Sequence, residues 1–133
     1  MLYLDSSALV KRYLREDGSD AIVAAMDAEG AWCSCRIGYL ETARAVWRAA
    51  DASAIGDVEA DWREFDVVEV DRSLTERAVE LALESGLRSL DALHLAAALS
   101  LGPEDEPTFA TWDKRLHRAA RAHGLSVLPA SLD

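Results

Sequence analysis

An α/β fold with a mostly parallel sheet and helices on both faces is what this chain predicts, and three observations predict it. Short apolar runs alternate with helical patterns from end to end. No repeat, low-complexity tract or linker interrupts that alternation, so the 133 residues read as one domain. Carboxylates also stand where apolar runs give way to helices: Asp5 after Leu2-Tyr3-Leu4, and Asp113 after Thr108-Phe109-Ala110-Thr111-Trp112. In an open parallel sheet, chemistry collects outside the carboxyl ends of the strands.

Leu2 to Leu4 is the first expected strand. A helix from about Ser7 to Arg15 follows, capped by Asp5, Ser6 or Ser7. Gly18-Ser19-Asp20 breaks it and caps a second helix through about Glu29. Ala31 to Ser34 is strand two. A long helix from about Ile37 to Ala50 then places Ile37, Leu40, Ala43, Trp47 and Ala50 on its apolar face. Another helix, roughly Ile55 to Glu64, leads into strand three, Asp66 to Val70. The amphipathic stretch Ser73 to Glu84 stops at Ser85-Gly86. Ser89 caps a helix from Leu90 to Leu101 that is apolar almost all round and therefore central. Gly102-Pro103 ends it, and a polar loop precedes strand four at Thr108 to Trp112. A last helix from about Lys114 to His123 ends at Gly124, and Leu125 to Leu128 is strand five. The short tail after Pro129 is expected to be loosely held.

Composition narrows the class. With 50% hydrophobic residues, a chain of this length buries roughly two thirds of its unfolded surface. No apolar run is long enough to span a bilayer, and the chain opens directly into a strand without a basic leader, so the expected location is the cytoplasm. Cys33 and Cys35 are too close for an ordinary disulfide and too few for a zinc site; they read as buried reduced thiols, which suits a reducing compartment. The formal net charge of -10 argues by itself against a nucleic-acid binder. The charge is uneven, however. Asp51, Asp57, Glu59, Asp61, Glu64, Asp66, Glu69, Asp71, Glu76, Glu80 and Glu84 crowd the middle. Basic residues lie near the candidate acids instead: Lys11, Arg12 and Arg15; Arg36, Arg44 and Arg48; Arg88; and Lys114, Arg115 and Arg118. Most of these fit ordinary solvated helix faces, but their shared neighbourhood also fits a cationic rim for phosphates.

Each candidate acid has a plain structural alternative. Asp5 stands where a helix N-cap belongs. Glu41 sits beside the apolar stripe with Arg44 at i+3, the spacing of a helical ion pair. Asp91 lies in the first turn of its helix, where negative charge suits the dipole, yet between Leu90 and Ala92-Leu93. His94 shares much the same face and reads as a packed helix residue rather than a ligand. Asp113 forms Thr-x-Asp with Thr111, a pattern common in turns and caps. The joint spacing of the four acids across successive β-α units is hard to obtain from caps alone. Carboxylates gathered at one point repel each other, and a hard divalent cation is the usual reason to tolerate that.

These segments resemble the PIN-domain family, and within it the VapC-type toxins of bacterial toxin–antitoxin pairs. The similarity rests on Leu4-Asp5-Ser6-Ser7-Ala8-Leu9-Val10-Lys11, on Glu41 and on Ser89-Leu90-Asp91-Ala92-Leu93-His94-Leu95-Ala96-Ala97-Ala98. Ala110-Thr111-Trp112-Asp113-Lys114-Arg115-Leu116 completes it. The segments occur in family order and cover the chain. The resemblance implies a three-layer sandwich around a five-stranded parallel sheet, and a Mg²⁺- or Mn²⁺-dependent endoribonuclease kept silent by a cognate antitoxin. It matches Asp5, Glu41, Asp91 and Asp113 to the family's acidic positions, and Ser6 and Thr111 to hydroxyl positions near the metal. Homodimerisation follows from the same resemblance. One position departs: Cys35 stands where members often carry Ser or Thr.

The expected chemistry is hydrolysis of an RNA phosphodiester by water that Mg²⁺ has made more acidic, with Asp5, Asp91 and Asp113 as ligands. Glu41 would bind a second metal or orient the attacking water, and the acidic middle segment would lie away from the RNA. An antitoxin would contact exposed apolar surface on the early helices, Trp47 and Trp62 being candidates, although either also fits the core. The main rival is a phosphoacceptor signalling domain, also small, acidic, α/β and Mg²⁺-binding. Such domains carry an acidic pair after the first strand and a lysine after the last. Here Ser6 and Ser7 follow Asp5, and no lysine follows Leu128. A third reading is a catalytically idle module that holds a partner.

Overall fold

Leu2, Tyr3 and Leu4 (β1, Leu2–Leu4) are buried on both faces of the sheet, as a central parallel strand must be. The computed structural model describes residues 1–49 and 52–132. Along it follow α1 (Ser6–Tyr13), α2 (Ser19–Ala28), β2 (Trp32–Cys35), α3 (Arg36–Arg48), α4 (Ala54–Trp62) and β3 (Asp66–Val68). Then come α5 (Arg72–Ser85), α6 (Ser89–Leu99), a 3₁₀ turn (Pro103–Asp105), β4 (Thr108–Ala110), α7 (Lys114–Ala122) and β5 (Ser126–Leu128). All strand pairs are parallel, in the order β3-β2-β1-β4-β5.

Side chains alternate across the pleat and divide the core in two. Tyr3, Cys33, Cys35 and Phe109 face α5, α6 and α7, with Leu81, Leu95 and Leu116 among the buried partners. Leu2, Leu4 and Ala110 face the other way, onto Leu9 of α1 and Ile22 and Met26 of α2. The result is the expected three-layer α/β sandwich. Against α1, the α3–α4 pair closes a smaller cluster of Val46, Ala54 and Val58. Burial pushes the Cys33 thiol up to about 12, so both free cysteines are inert core residues. Among the described residues, no helix is long and apolar enough to cross a membrane.

Several expectations need correction. The buried stripe of α3 is Gly38, Thr42 and Val46; Leu40 is 69% and Trp47 68% exposed. The reason is that α3 approaches its neighbours through Gly38, Thr42 and Val46, which leaves Leu40 and Trp47 to solvent while Ile37 is partly buried against the core. Ala50 and Asp51 lie outside the described residues. Strands three and four are shorter than expected, ending at Val68 and Ala110, and Thr111 leaves the strand with its N–H still on the Leu128 carbonyl. Arg88, not Ser89, is the N-cap of α6, without a side-chain cap bond. The tail is tied at Pro129, whose carbonyl lies 2.7 Å from His117 Nε2. Asp133 lies outside the described residues.

Candidate functional site

Strand order fixes where a cleft can open. From β1 the chain steps outward to β2 and β3, then returns to β4 on the opposite side of β1. The crossovers after β1 and β4 therefore leave on opposite faces of the sheet: α1 and α2 on one, α7 on the other. A crevice forms at such a reversal, at the carboxyl ends of the strands. Asp5 ends β1, and Thr111 and Asp113 follow β4.

Asp5 is 2% exposed. Its Oδ1 caps α1 by accepting from Ala8 N (2.9 Å) and also accepts from Ser7 Oγ (2.7 Å). Its Oδ2 accepts from Thr111 Oγ1 at 2.5 Å. Ser7 Oγ in turn accepts from Trp112 N (2.9 Å), and Thr111 Oγ1 from Asp113 N (3.1 Å). The two hydroxyls thus staple the β1–α1 turn to the end of β4. Burial raises the Asp5 carboxyl above its ordinary range, opposed by His94 and by the Thr111, Ser7 and Ala8 hydrogen bonds. In the sequence Ser7 read only as an alternative helix cap, not as a site residue. Its signal was available: an Asp-x-Ser spacing at a strand end, where a hydroxyl two residues on can reach the carboxylate.

Glu41 projects from α3 and does not pair with Arg44. Its Oε2 accepts from Ser6 Oγ at 3.0 Å, and its Oε1 lies 2.8 Å from His94 Nε2. His94 is fully buried, with Nδ1 2.8 Å from the hydroxyl of Tyr3. The histidine set aside as packing therefore joins the buried phenol to a cleft acid. Close approach of α3 depends on Gly38, because a Cβ there would stand 2.6 Å from Ser34 Oγ and 3.4 Å from His94 Cε1. Ser34 Oγ cannot yield freely, since it donates to the Leu4 carbonyl at 2.7 Å.

Asp91 and Asp113 share one cation. The Arg88 guanidinium reaches Asp91 Oδ2 at 3.4 Å and Asp113 Oδ2 at 3.1 Å. Asp113 Oδ1 meanwhile caps α7 through Leu116 N (2.9 Å). Burial and then the neighbouring Asp113 raise the Asp91 carboxyl, against Arg88 and His94. Asp5, Ser6, Glu41, Asp91 and Asp113 all line one cleft of about 780 Å³. Thr111 lies beneath it, fully buried.

A family model described as PIN domain matches residues 2–122. The chain belongs to the PIN-domain family. This PIN domain is 38% identical over 142 residues to Ribonuclease VapC45 of Mycobacterium tuberculosis (strain CDC 1551 / Oshkosh), covering 100% of the chain and 98% of that protein. It is 35% identical over 131 residues to Ribonuclease VapC35 of Mycobacterium tuberculosis (strain ATCC 25618 / H37Rv), covering 96% of each. Among solved structures, the fold matches Mycobacterium tuberculosis VapC20, a sarcin–ricin loop cleaving toxin, at a TM-score of 0.75 and 14% identity over 100% of both chains. It also matches a toxin–antitoxin complex from Klebsiella pneumoniae, at 0.73 and 16% over 100% of both.

Among the described residues of this PIN domain, no three His, Cys, Asp or Glu side chains form a ready metal-binding group. The donors nevertheless suit a hard divalent cation. They are carboxylate and hydroxyl oxygens, Asp5 is buried with its oxygens accepting from Ser7, Ala8 and Thr111, and the Arg88 guanidinium already stands where Asp91 and Asp113 call for positive charge. Mg²⁺ keeps several waters and needs few direct protein ligands. The cationic rim is narrower than the sequence suggested. Arg12, Arg15 and Arg36 are committed to Asp61, Asp20 and Glu69. Lys11 is buried, 3.0 Å from Glu16 and over the Trp112 ring. Arg44 and Arg88 remain on the cleft wall, and Lys114 and Arg115 line the adjoining depression with Asp91 and Asp113. Among the described residues, no acid of the middle segment lines the cleft.

Proposed function

We propose that this PIN domain is a Mg²⁺- or Mn²⁺-dependent endoribonuclease, the toxin of a toxin–antitoxin pair, and that Asp5, Glu41, Asp91 and Asp113 are its catalytic and metal-holding residues. The observation that carries the reading is the convergence of four carboxylates from four separate segments on one cleft, two of them already bridged by a guanidinium. Relatives that span the whole chain are named ribonucleases. A similar fold occurs in a toxin–antitoxin complex, and in VapBC2 from Rickettsia felis bound to a promoter DNA fragment (TM-score 0.65).

Asp5, Asp91 and Asp113 would supply oxygens to the cation, and Glu41 would hold a second one or orient the attacking water. When bound, the cation supplies Lewis acidity and makes water a competent nucleophile at neutral pH. Thr111 and Ser7 keep Asp5 in place, and Ser6 keeps Glu41 in place. Arg88, 77% exposed at its side chain, is free to leave the acid pair and meet the phosphate instead. Water adds at phosphorus as the P–O bond to the leaving ribose oxygen breaks; that oxygen takes a proton.

Exposed Leu40, Trp47 and Leu90 give the antitoxin an apolar contact face on this side of the molecule. Trp62 does not belong to it, being stacked on Phe65. The same reading expects a homodimer. The test is antitoxin-free protein with structured RNA in Mg²⁺, Mn²⁺ or EDTA, beside Asp91→Asn. Cleavage should need the metal and fall at least about a hundredfold in the variant. Full activity in folded Asp91→Asn would remove the mechanism.

A further inference from the structure

We propose that His94, held by Tyr3, is the positioning residue for Glu41, fixing the carboxylate in the orientation that the cation and attacking water require. The proposal rests on the metal-dependent nuclease reading. It concerns two residues to which that reading gives no role.

Glutamate on a helix face is a long side chain that samples many rotamers, and pinning it costs entropy. Here both carboxylate oxygens are fixed from different elements: Oε2 by Ser6 at the start of α1, Oε1 by His94 in α6. The anchor lies deep. His94 is 1% and Tyr3 0% exposed, and the phenol ring stacks on Phe109 with centroids 5.2 Å apart. Around them the core is Cys33, Cys35, Leu95 and other apolar residues. Phenylalanine and leucine would fill that space without buried polar atoms to satisfy. The polar pair instead runs from the core to one outlet, and that outlet is a cleft acid.

Hydrogen-bond roles along the chain follow from what each group can do. An ionised Glu41 only accepts, so Nε2 carries a proton. The Tyr3 hydroxyl, fully buried 2.8 Å from Nδ1, donates a hydrogen bond to that nitrogen. This leaves the imidazole with its Nε2–H aimed at Glu41 and both ring nitrogens paired. A histidine whose second nitrogen is fixed from behind is a common way to orient a metal-site group. Gly38 completes the arrangement, since without its missing Cβ α3 would stand off from His94.

The experiment compares wild type, His94→Leu, His94→Gln and Tyr3→Phe, with Asp91→Asn as the control that removes a proposed ligand. The Mn²⁺ dissociation constant is measured by titration without RNA, and the imidazole ¹⁵N signals report the tautomer. His94→Leu should weaken Mn²⁺ binding about 10–100-fold. His94→Gln, whose amide N–H can replace Nε2–H, should recover most of it. Tyr3→Phe, which keeps ring volume, should shift the tautomer signals and weaken Mn²⁺ in the same direction. In RNA cleavage the loss should fall on kcat rather than KM. Should His94→Leu fail to fold, Tyr3→Phe and His94→Gln decide. Unchanged Mn²⁺ affinity in the folded His94 and Tyr3 variants, with binding lost in Asp91→Asn, overturns this inference and leaves the nuclease reading standing. A wild type that binds no Mn²⁺ overturns both.

Discussion

Asp5 is held by three hydrogen-bond donors and is almost wholly buried, and that combination has a pH consequence. Its folded-state carboxyl titrates above the unfolded value because burial outweighs the donors, and Asp91 shifts in the same direction. For such groups the favourable contribution to stability is fully present below the unfolded pKa and is lost as pH rises through the folded one. In EDTA, Asp5→Asn should therefore melt higher than wild type near pH 7. The gap should narrow as pH falls toward the unfolded carboxylate range. A melting difference that stays constant across that range would contradict the burial argument, whatever happens to activity. Asp5, Asp91 and Asp113 were legible because each sits at a strand end or inside an apolar helix start, which are local facts. Glu41 was legible as an acid but not in its contacts: a local rule pointed to Arg44, while its partners Ser6 and His94 lie 35 and 53 residues away.

At the scale of the element, α3 is where periodicity misled. Apolar residues at 37, 40, 43 and 47 suggested one buried face, but the buried face runs through Gly38, Thr42 and Val46. Packing here selects small residues, so that the helix comes close enough for Glu41 to reach His94. The two faces predict opposite outcomes. Gly38→Ala adds one methyl group against Ser34 Oγ and should cost about 1–3 kcal/mol. Trp47→Ser removes a large but exposed ring and should stay within about 0.5 kcal/mol of wild type. Urea melts of the two variants check this. Adding Ser34→Ala to Gly38→Ala should recover part of the loss, a non-additive result expected only of groups in contact. Equal costs for Gly38→Ala and Trp47→Ser would return the apolar stripe to the position the sequence suggested. The strands, by contrast, were legible to within two or three residues, because β-branched and aromatic runs at the observed spacing leave little else to form.

For the whole molecule, β-α alternation gave a parallel sheet but not the order of its strands, since order depends on which edge each crossover chooses. That order matters most, because the reversal at β1 and β4 creates the cleft. Net charge is the other property of the whole. At -10 the protein repels RNA at long range, and among the described residues the exposed cations at the cleft or beside it are Arg44, Arg88, Lys114 and Arg115, because Lys11, which also lines it, is buried and held by Glu16. With no more than these four cations to replace counterions, single-stranded RNA binding should fall with salt at a log–log slope no steeper than roughly -3. Asp91→Asn protein, which binds without cutting on this reading, allows the measurement by fluorescence anisotropy between about 50 and 200 mM salt. Changing Arg44 and Lys114 together to Gln should bring the slope nearer to zero by roughly 1.4, while Arg36→Gln, at the start of α3 and paired to Glu69, should leave it unchanged. A slope of roughly -5 or steeper in the parent would require phosphate contacts on a basic surface away from the cleft. The RNA would then cross a face other than the one the four acids define.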